Sequence, residues 1–163
     1  MYKINEINVN GKTYDWRMIS VSINIDLGDG AVNTYIPTGV TSITYSQTRE
    51  SQWNFGIRGR AISKGYGNTV AEANITMAAF ELQSLKDQMV GTAVTTGEES
   101  RYIQNIPQFN IDVTYNFDDG TSKTDKIMQC SFNTDAGGAS QNDMFIQSEI
   151  NLDPSEIRYG KTQ

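Results

Sequence analysis

At 163 residues the chain is one domain of ordinary size, long enough to bury a core without help from metals or disulfides. A formal charge of −6 and a sequence pI of about 4.6 argue against a protein that reads nucleic-acid sequence. The absence of histidine removes the commonest general base, and with it any Ser-His or Cys-His mechanism.

Lone Cys130 can form no internal disulfide. The opening MYKINEINVNGK lacks the charged start and apolar run of a signal peptide. No apolar stretch approaches the roughly 20 residues that span a bilayer. These features predict a soluble protein, without a membrane partner, made and kept in a cytosol.

In chain order, a short pair of strands is expected around residues 4–9 and 14–18. ISVSINIDL then alternates Ile19, Val21, Ile23, Ile25 and Leu27 against Ser20, Ser22, Asn24 and Asp26, the period of a strand with one buried and one wet face. VTSITYSQ and VAEANITM read as two more strands, rich in residues that suit a pleated surface. Between them, NFGIRGRAISKGYGNT has four glycines and three basic residues and reads as a long loop over about 48–70. AAFELQSLKDQMVG changes the period: Leu82, Leu85 and Met89 share one side, with Glu81, Lys86 and Asp87 turned outward, predicting a helix over about 78–90 that stops before Gly91. FNIDVTYNF, the turn Asp118-Asp119-Gly120 and TSKTDKIMQCSF form a hairpin, and MFIQSEINL makes a last strand. The fold class is mainly β: an antiparallel sandwich or barrel of about seven or eight strands with one helix, in a single domain over 1–163.

The motifs with chemical potential lose to plainer readings. Gly11-Lys12-Thr13 and Gly160-Lys161-Thr162 lack the glycine five residues upstream that a phosphate-cradling loop needs, and no helix follows either. NIDLGDG and FDDGTSKTD lack the ligand spacing of a calcium loop and read as hairpin turns. Glu98-Glu99 and Asp118-Asp119 are adjacent pairs, unable to flank a scissile bond from opposite sides. No catalytic, cofactor-binding or metal-binding residue is therefore expected, and no cofactor. Trp53 and Phe55, beside the basic island of Arg49, Arg58, Arg60 and Lys64, could stack on single-stranded nucleic acid or anchor a protein interface. In an acidic chain the interface is the better reading.

The order of these pieces resembles the tail tube proteins of contractile-tailed, Mu-like phages. The resemblance spans about residues 40–152 and rests on Gly59-Arg60, Lys64-Gly65-Tyr66-Gly67-Asn68, Ile75-Thr76-Met77, Glu81, Leu85, and Ile106-Pro107 followed by Phe109. It implies a structural virion protein of the tail, assembled in the host cytoplasm. Its subunits would close into hexameric rings, and the rings would stack into a hollow tube that delivers DNA as non-specific cargo, with sheath and baseplate proteins as partners. A tube-like baseplate component, or the tube of a bacterial injection or secretion system, is the alternative within the class. A monomeric β-sandwich binding module is the alternative outside it.

Charge asymmetry suits self-assembly. Residues 1–80 hold seven Lys/Arg and six Asp/Glu, whereas 81–163 hold six and thirteen. A head-to-tail contact needs two different, complementary patches. The expected interface joins Arg49, Trp53, Phe55, Ile57, Arg58, Arg60, Lys64 and Tyr66 to an acidic region that includes Glu98, Glu99, Asp118 and Asp119. Asp26, Asp112 and Glu149, on the polar sides of candidate strands, are the expected lumen-facing carboxylates, where negative charge would keep DNA from sticking.

Overall fold

The computed structural model describes residues 7–9, 12–14, 18–26, 32–93, 108–133 and 146–161. Among these the strands are β1 (Ile7–Val9), β2 (Lys12–Tyr14), β3 (Ile19–Asp26), β4 (Val32–Tyr35), β5 (Val40–Phe55), β6 (Ala61–Ala78), β7 (Phe109–Asn116), β8 (Ser122–Cys130), β9 (Gln147–Leu152) and β10 (Glu156–Arg158), with one helix, α1 (Ala79–Ala93), after β6. β1 and β2 pair only with each other; the other eight strands form a five-stranded sheet, β10-β8-β7-β3-β4, and a three-stranded sheet, β5-β6-β9. Every pairing is antiparallel, so the fold is mainly β with one helix, as the alternation predicts.

Alternation decides what the sheets bury. Val21, Ile23 and Ile25 of β3, Phe109, Ile111 and Val113 of β7 and Ile127 of β8 face Ala73, Ile75 and Met77 of β6 and Ile150 and Leu152 of β9 in one core. A one-residue slip in any of these strands would turn its whole apolar set to water, which fixes the register. Leu82 and Leu85 of α1 join the same core. Phe132 pairs with Leu152 in an isolated bridge, so the sheets meet along one side.

A buried polar knot ties the two sheets where the apolar set runs out. The Tyr45 hydroxyl on β5 donates to Asp125 Oδ2 on β8 at 2.6 Å and lies 2.6 Å from the Tyr115 hydroxyl on β7. Asp125, 2% exposed, also accepts the Gly160 N–H at 2.8 Å and pairs with Lys123 at 3.2 Å. A buried carboxylate is tolerable only with partners of this kind. Burial, then the hydrogen bond to Asp125, raises the Tyr45 pKa well above the ordinary tyrosine value. Gly160 is required here: a Cβ would lie 2.1 Å from the Thr124 carbonyl oxygen.

Three expectations are corrected. Residues 48–70 are not a long loop: β5 and β6 continue through most of them as paired strands, and only 56–60 turn. The glycines hid a strand because Gly65 and Gly67 carry no side chain to show the period. Glu81 does not point outward; it is buried, accepting the Tyr35 hydroxyl at 2.7 Å and the Thr38 N–H at 3.0 Å on one oxygen. Charged residues are assigned to water by default, and a carboxylate with two donors waiting is the exception. Finally, α1 continues past Gly91 to Ala93, a shift of the size by which helix ends commonly differ. Met89 and Leu27 lie outside the residues whose side chains are described.

The predicted β7–β8 turn is present. Phe117 N–H donates to Thr121 O at 2.9 Å, Gly120 takes φ 83°, and Asp119 Oδ1 accepts the Thr121 N–H at 2.9 Å. Aspartate bonding its own backbone two residues on, followed by glycine in the left-handed region, is the local chemistry that makes such turns.

Candidate interaction arm

β9 pairs with β6 only from Ala73 to Ala78, and β5 and β6 then run on as a two-stranded ribbon to the turn at 56–60. Residues 61–72 of β6 alone extend roughly 40 Å at about 3.4 Å per residue. From residue 46 to residue 70 every residue but half-buried Gly56 is exposed. A two-stranded hairpin with no covering layer is marginal in water. This one carries large apolar groups all the same: Trp53 is 50% exposed, Phe55 67%, Ile57 92%, and Ile62, Tyr66 and Val70 are exposed as well.

The register organises these residues. Trp53 lies opposite Lys64 and Ser51 opposite Tyr66, so their side chains share a face. On that face the Arg49 guanidinium stacks 3.9 Å from the Tyr66 ring centre, and Lys64 Nζ sits 5.2 Å from the Trp53 ring and 5.4 Å from the Tyr66 ring. Cations over aromatic faces hold both groups in place while leaving the outer edges of the rings free for a partner.

The turn at the tip is closed by Gly56 N–H to Arg60 O at 2.8 Å and Gly59 N–H to Gly56 O at 3.2 Å. Arg58 has φ 70° and Gly59 φ 68°. Glycine occupies the left-handed region freely, but a residue with a Cβ pays about 1–2 kcal/mol for it. A long cation is therefore held at the tip against the local backbone preference, the kind of outlier that points to a role outside the monomer.

All eight residues expected at the interface from the basic island, Arg49, Trp53, Phe55, Ile57, Arg58, Arg60, Lys64 and Tyr66, fall on this one projection. Glu98 and Glu99 lie outside the described residues, and Asp118 and Asp119 sit at the β7–β8 turn. The expected lumen carboxylates are not brought together. Asp112 is on the outer face of the five-stranded sheet, where its Oδ2 accepts a hydrogen bond from Asn24 Nδ2 at 3.1 Å. Glu149 is exposed on the outer face of the three-stranded sheet, opposite Thr76. Asp26 ends β3, and its side chain is outside the described residues. Sequence reasoning missed Ile62 and Val70 as exposed arm residues; pairing AISKGYGNTV against the alternating SQTRESQWNF would have brought both onto a strand.

Among the described residues no cluster of three or more His, Cys, Asp or Glu could hold a metal ion, and no helix is long and apolar enough to cross a membrane. Cys130 is fully buried, and burial pushes its thiol up to about 12, so little reactive thiolate exists near neutral pH.

No family model matches the chain, and no curated protein matches it. Among solved structures it is similar to a chain of the structure described as "Cryo-EM structure of the anti-feeding prophage (AFP) baseplate, 6-fold symmetrised", with a TM-score of 0.48 and 9% identity over 86% of this chain and 91% of that one. A likeness at that level carries no function across.

Proposed function

We propose that the chain is a structural, non-enzymatic subunit that assembles with other copies of itself through the β5–β6 arm, in a tube-like ring of a contractile injection-type particle. The observation that carries this reading is the arm itself, which has no covering layer among the described residues yet presents Trp53, Phe55, Ile57 and Tyr66 among four cations. Aromatic residues and arginine in one exposed cluster are the composition of an interface centre rather than of a solvated loop.

Charge supports a second copy as the partner. Residues 49–67 hold Arg49, Arg58, Arg60 and Lys64 against Glu50, a formal +3, which leaves −9 for the rest of a −6 chain. Such contrast speeds encounter and fixes register, while the desolvated rings supply the affinity. The contact joins an arm to a body, so it is heterologous, and repeated it closes a ring or propagates a filament. The type of particle rests on the sequence resemblance to tail tubes.

A ring that does not propagate, as in a tube-like baseplate component, is the second reading. It is favoured by β1 and β2, which lie before the span of that resemblance and pair with each other as a separate two-stranded sheet. DNA as cargo belongs to both readings, with exposed carboxylates such as Glu149 on the candidate bore wall.

The test is negative-stain microscopy and light scattering of wild type and of Arg58→Glu/Arg60→Glu. Wild type forms rings or stacks, and the double variant stays monomeric with unchanged circular dichroism. Long tubes distinguish the first reading from the second. A wild type that is monomeric at high concentration, or a double variant that assembles normally, overturns the proposal.

A further inference from the structure

The two faces of the arm differ throughout its length, and each continues one face of the sheet at its base. In the sandwich, Ile43 and Tyr45 of β5 and Ala71, Ala73 and Ile75 of β6 point to the core, while Thr44, Ser46, Glu72 and Asn74 point outward. Alternation along β5 carries the core-facing side through Arg49, Ser51 and Trp53 to Phe55. β6 reaches the same side with Tyr66 and Lys64, because a register shift lies between Arg49 and Ser51; Ile62 falls in a further shift, between Asn54 and Phe55. The aromatic and cationic face of the arm is thus the inner face of the sandwich, extended beyond the sheet that covers it.

The other face has a different composition. From the root outward β5 presents Ser42, Thr44, Ser46, Thr48, then Glu50, Gln52 and Asn54; across from the last three lie Ser63, Gly65 and Gly67. Asn54 Nδ2 donates to Ser63 Oγ at 3.2 Å, and a Cβ on Gly67 would lie 3.1 Å from Glu50 Cβ, which places these groups together. With Glu72 on β6 and Glu149 on β9 the strip has three carboxylates and no Lys or Arg. It is roughly 40 Å long at about 3.4 Å per residue. Val70, opposite Thr48 and 53% exposed, is the one large apolar side chain on this strip; the small hydroxyl and amide side chains over glycine beyond it offer little apolar area to a partner, and like-signed carboxylates repel a body that is itself acidic.

Resting on the self-assembly proposed above, we infer that a second copy covers only the inner-continuing face of the arm, Arg49, Ser51, Trp53, Lys64 and Tyr66. That copy supplies the missing second layer, as the five-stranded sheet does at the base. The opposite face remains wet in the assembly, forming one uninterrupted wall with the outer face of β5-β6-β9. The occupant is a second copy because the covered face carries two cations, Arg49 and Lys64, and no carboxylate, whereas the chain outside residues 49–67 sums to −9.

Neighbouring cysteines test this on the full chain. Ser51→Cys and Gln52→Cys are consecutive residues on opposite faces, Glu72→Cys marks the wall at the base, and native Cys130 is buried and silent. Each variant is reacted with N-ethylmaleimide before and after assembly, with light scattering recording the assembled fraction. Assembly is expected to slow Ser51→Cys at least tenfold and to change Gln52→Cys and Glu72→Cys by less than about twofold. Equal or greater protection of Gln52→Cys overturns the facial assignment while leaving self-assembly standing. Protection of neither residue 51 nor 52 in assembled material removes the arm from the contact, and failure of every variant and of wild type to assemble removes both proposals.

Discussion

The two halves of the β5–β6 ribbon share one pair of strands, one alternation and one twist, yet they do opposite things. At the base Ala73 and Ile75 are buried and Ile43 and Tyr45 partly buried against the core, while a few residues further along Trp53, Phe55 and Tyr66 are exposed. Local pattern therefore sets which side a residue faces, and only a second layer decides whether that side becomes interior. The base is finished within the chain; the arm has the face of a core and, among the described residues, no cover.

The largest expected difference between the halves comes from matched truncations. Ile75→Ala, in the sealed half, should cost about 2–5 kcal/mol of unfolding free energy in urea. Ile62→Ala, in the open half, should stay within about 0.5 kcal/mol for the monomer while weakening assembly. Equal costs would mean that the arm folds back on its own body. Next, Asp125→Ala leaves Tyr45 and the Gly160 N–H without their acceptor, and about 1–3 kcal/mol should be lost, again with no change in the arm cysteine reactivities. Arg58→Gly is smaller and opposite in sign: it relieves about 1 kcal/mol of backbone strain at the tip and should sharpen the arm's amide signals while reducing assembly.

The smallest effect is in pH. The Tyr35 pKa is raised to about 12, first by burial and then by its hydrogen bond to Glu81. Because the folded value lies above the unfolded one, this contribution is complete below about pH 10 and fades as pH rises toward 12. Tyr35→Phe should flatten that part of the alkaline unfolding curve, read by circular dichroism, and leave the curve at pH 7–9 parallel to wild type. No flattening would mean that the hydroxyl is not held by Glu81.

Much of this was legible in advance where side chains carry the period. Ile19 to Ile25 and Phe109 to Phe117 state their strands and their buried side outright, and Asp118-Asp119-Gly120 states its turn. The arm was half legible: the basic and aromatic residues picked out the segment that projects, but Gly56, Gly59, Gly65 and Gly67 masked the strand that presents them. Glu81 and Asp125 were not legible, because their burial depends on donors 43 and 35 residues away in sequence, Thr38 and Gly160. The acidic wall was equally hidden, since Glu50, Glu72 and Glu149 come together only when β6 is paired on both sides.

The small knot around Glu81 gives the arm a mechanical root. β5 begins just after Gly39 and β6 ends at Ala78, and Ala78 N–H donates to Gly39 O at 2.9 Å. One residue further on, Ala79 N–H donates to Ile146 O, and Glu81 grips Thr38 and Tyr35. Both legs of the lever are thus clamped at a single fulcrum that also holds the first turn of α1. Under the proposed assembly, a pull on the tip would bear on a root where β5, β6, the first turn of α1 and the start of β9 are joined by these hydrogen bonds.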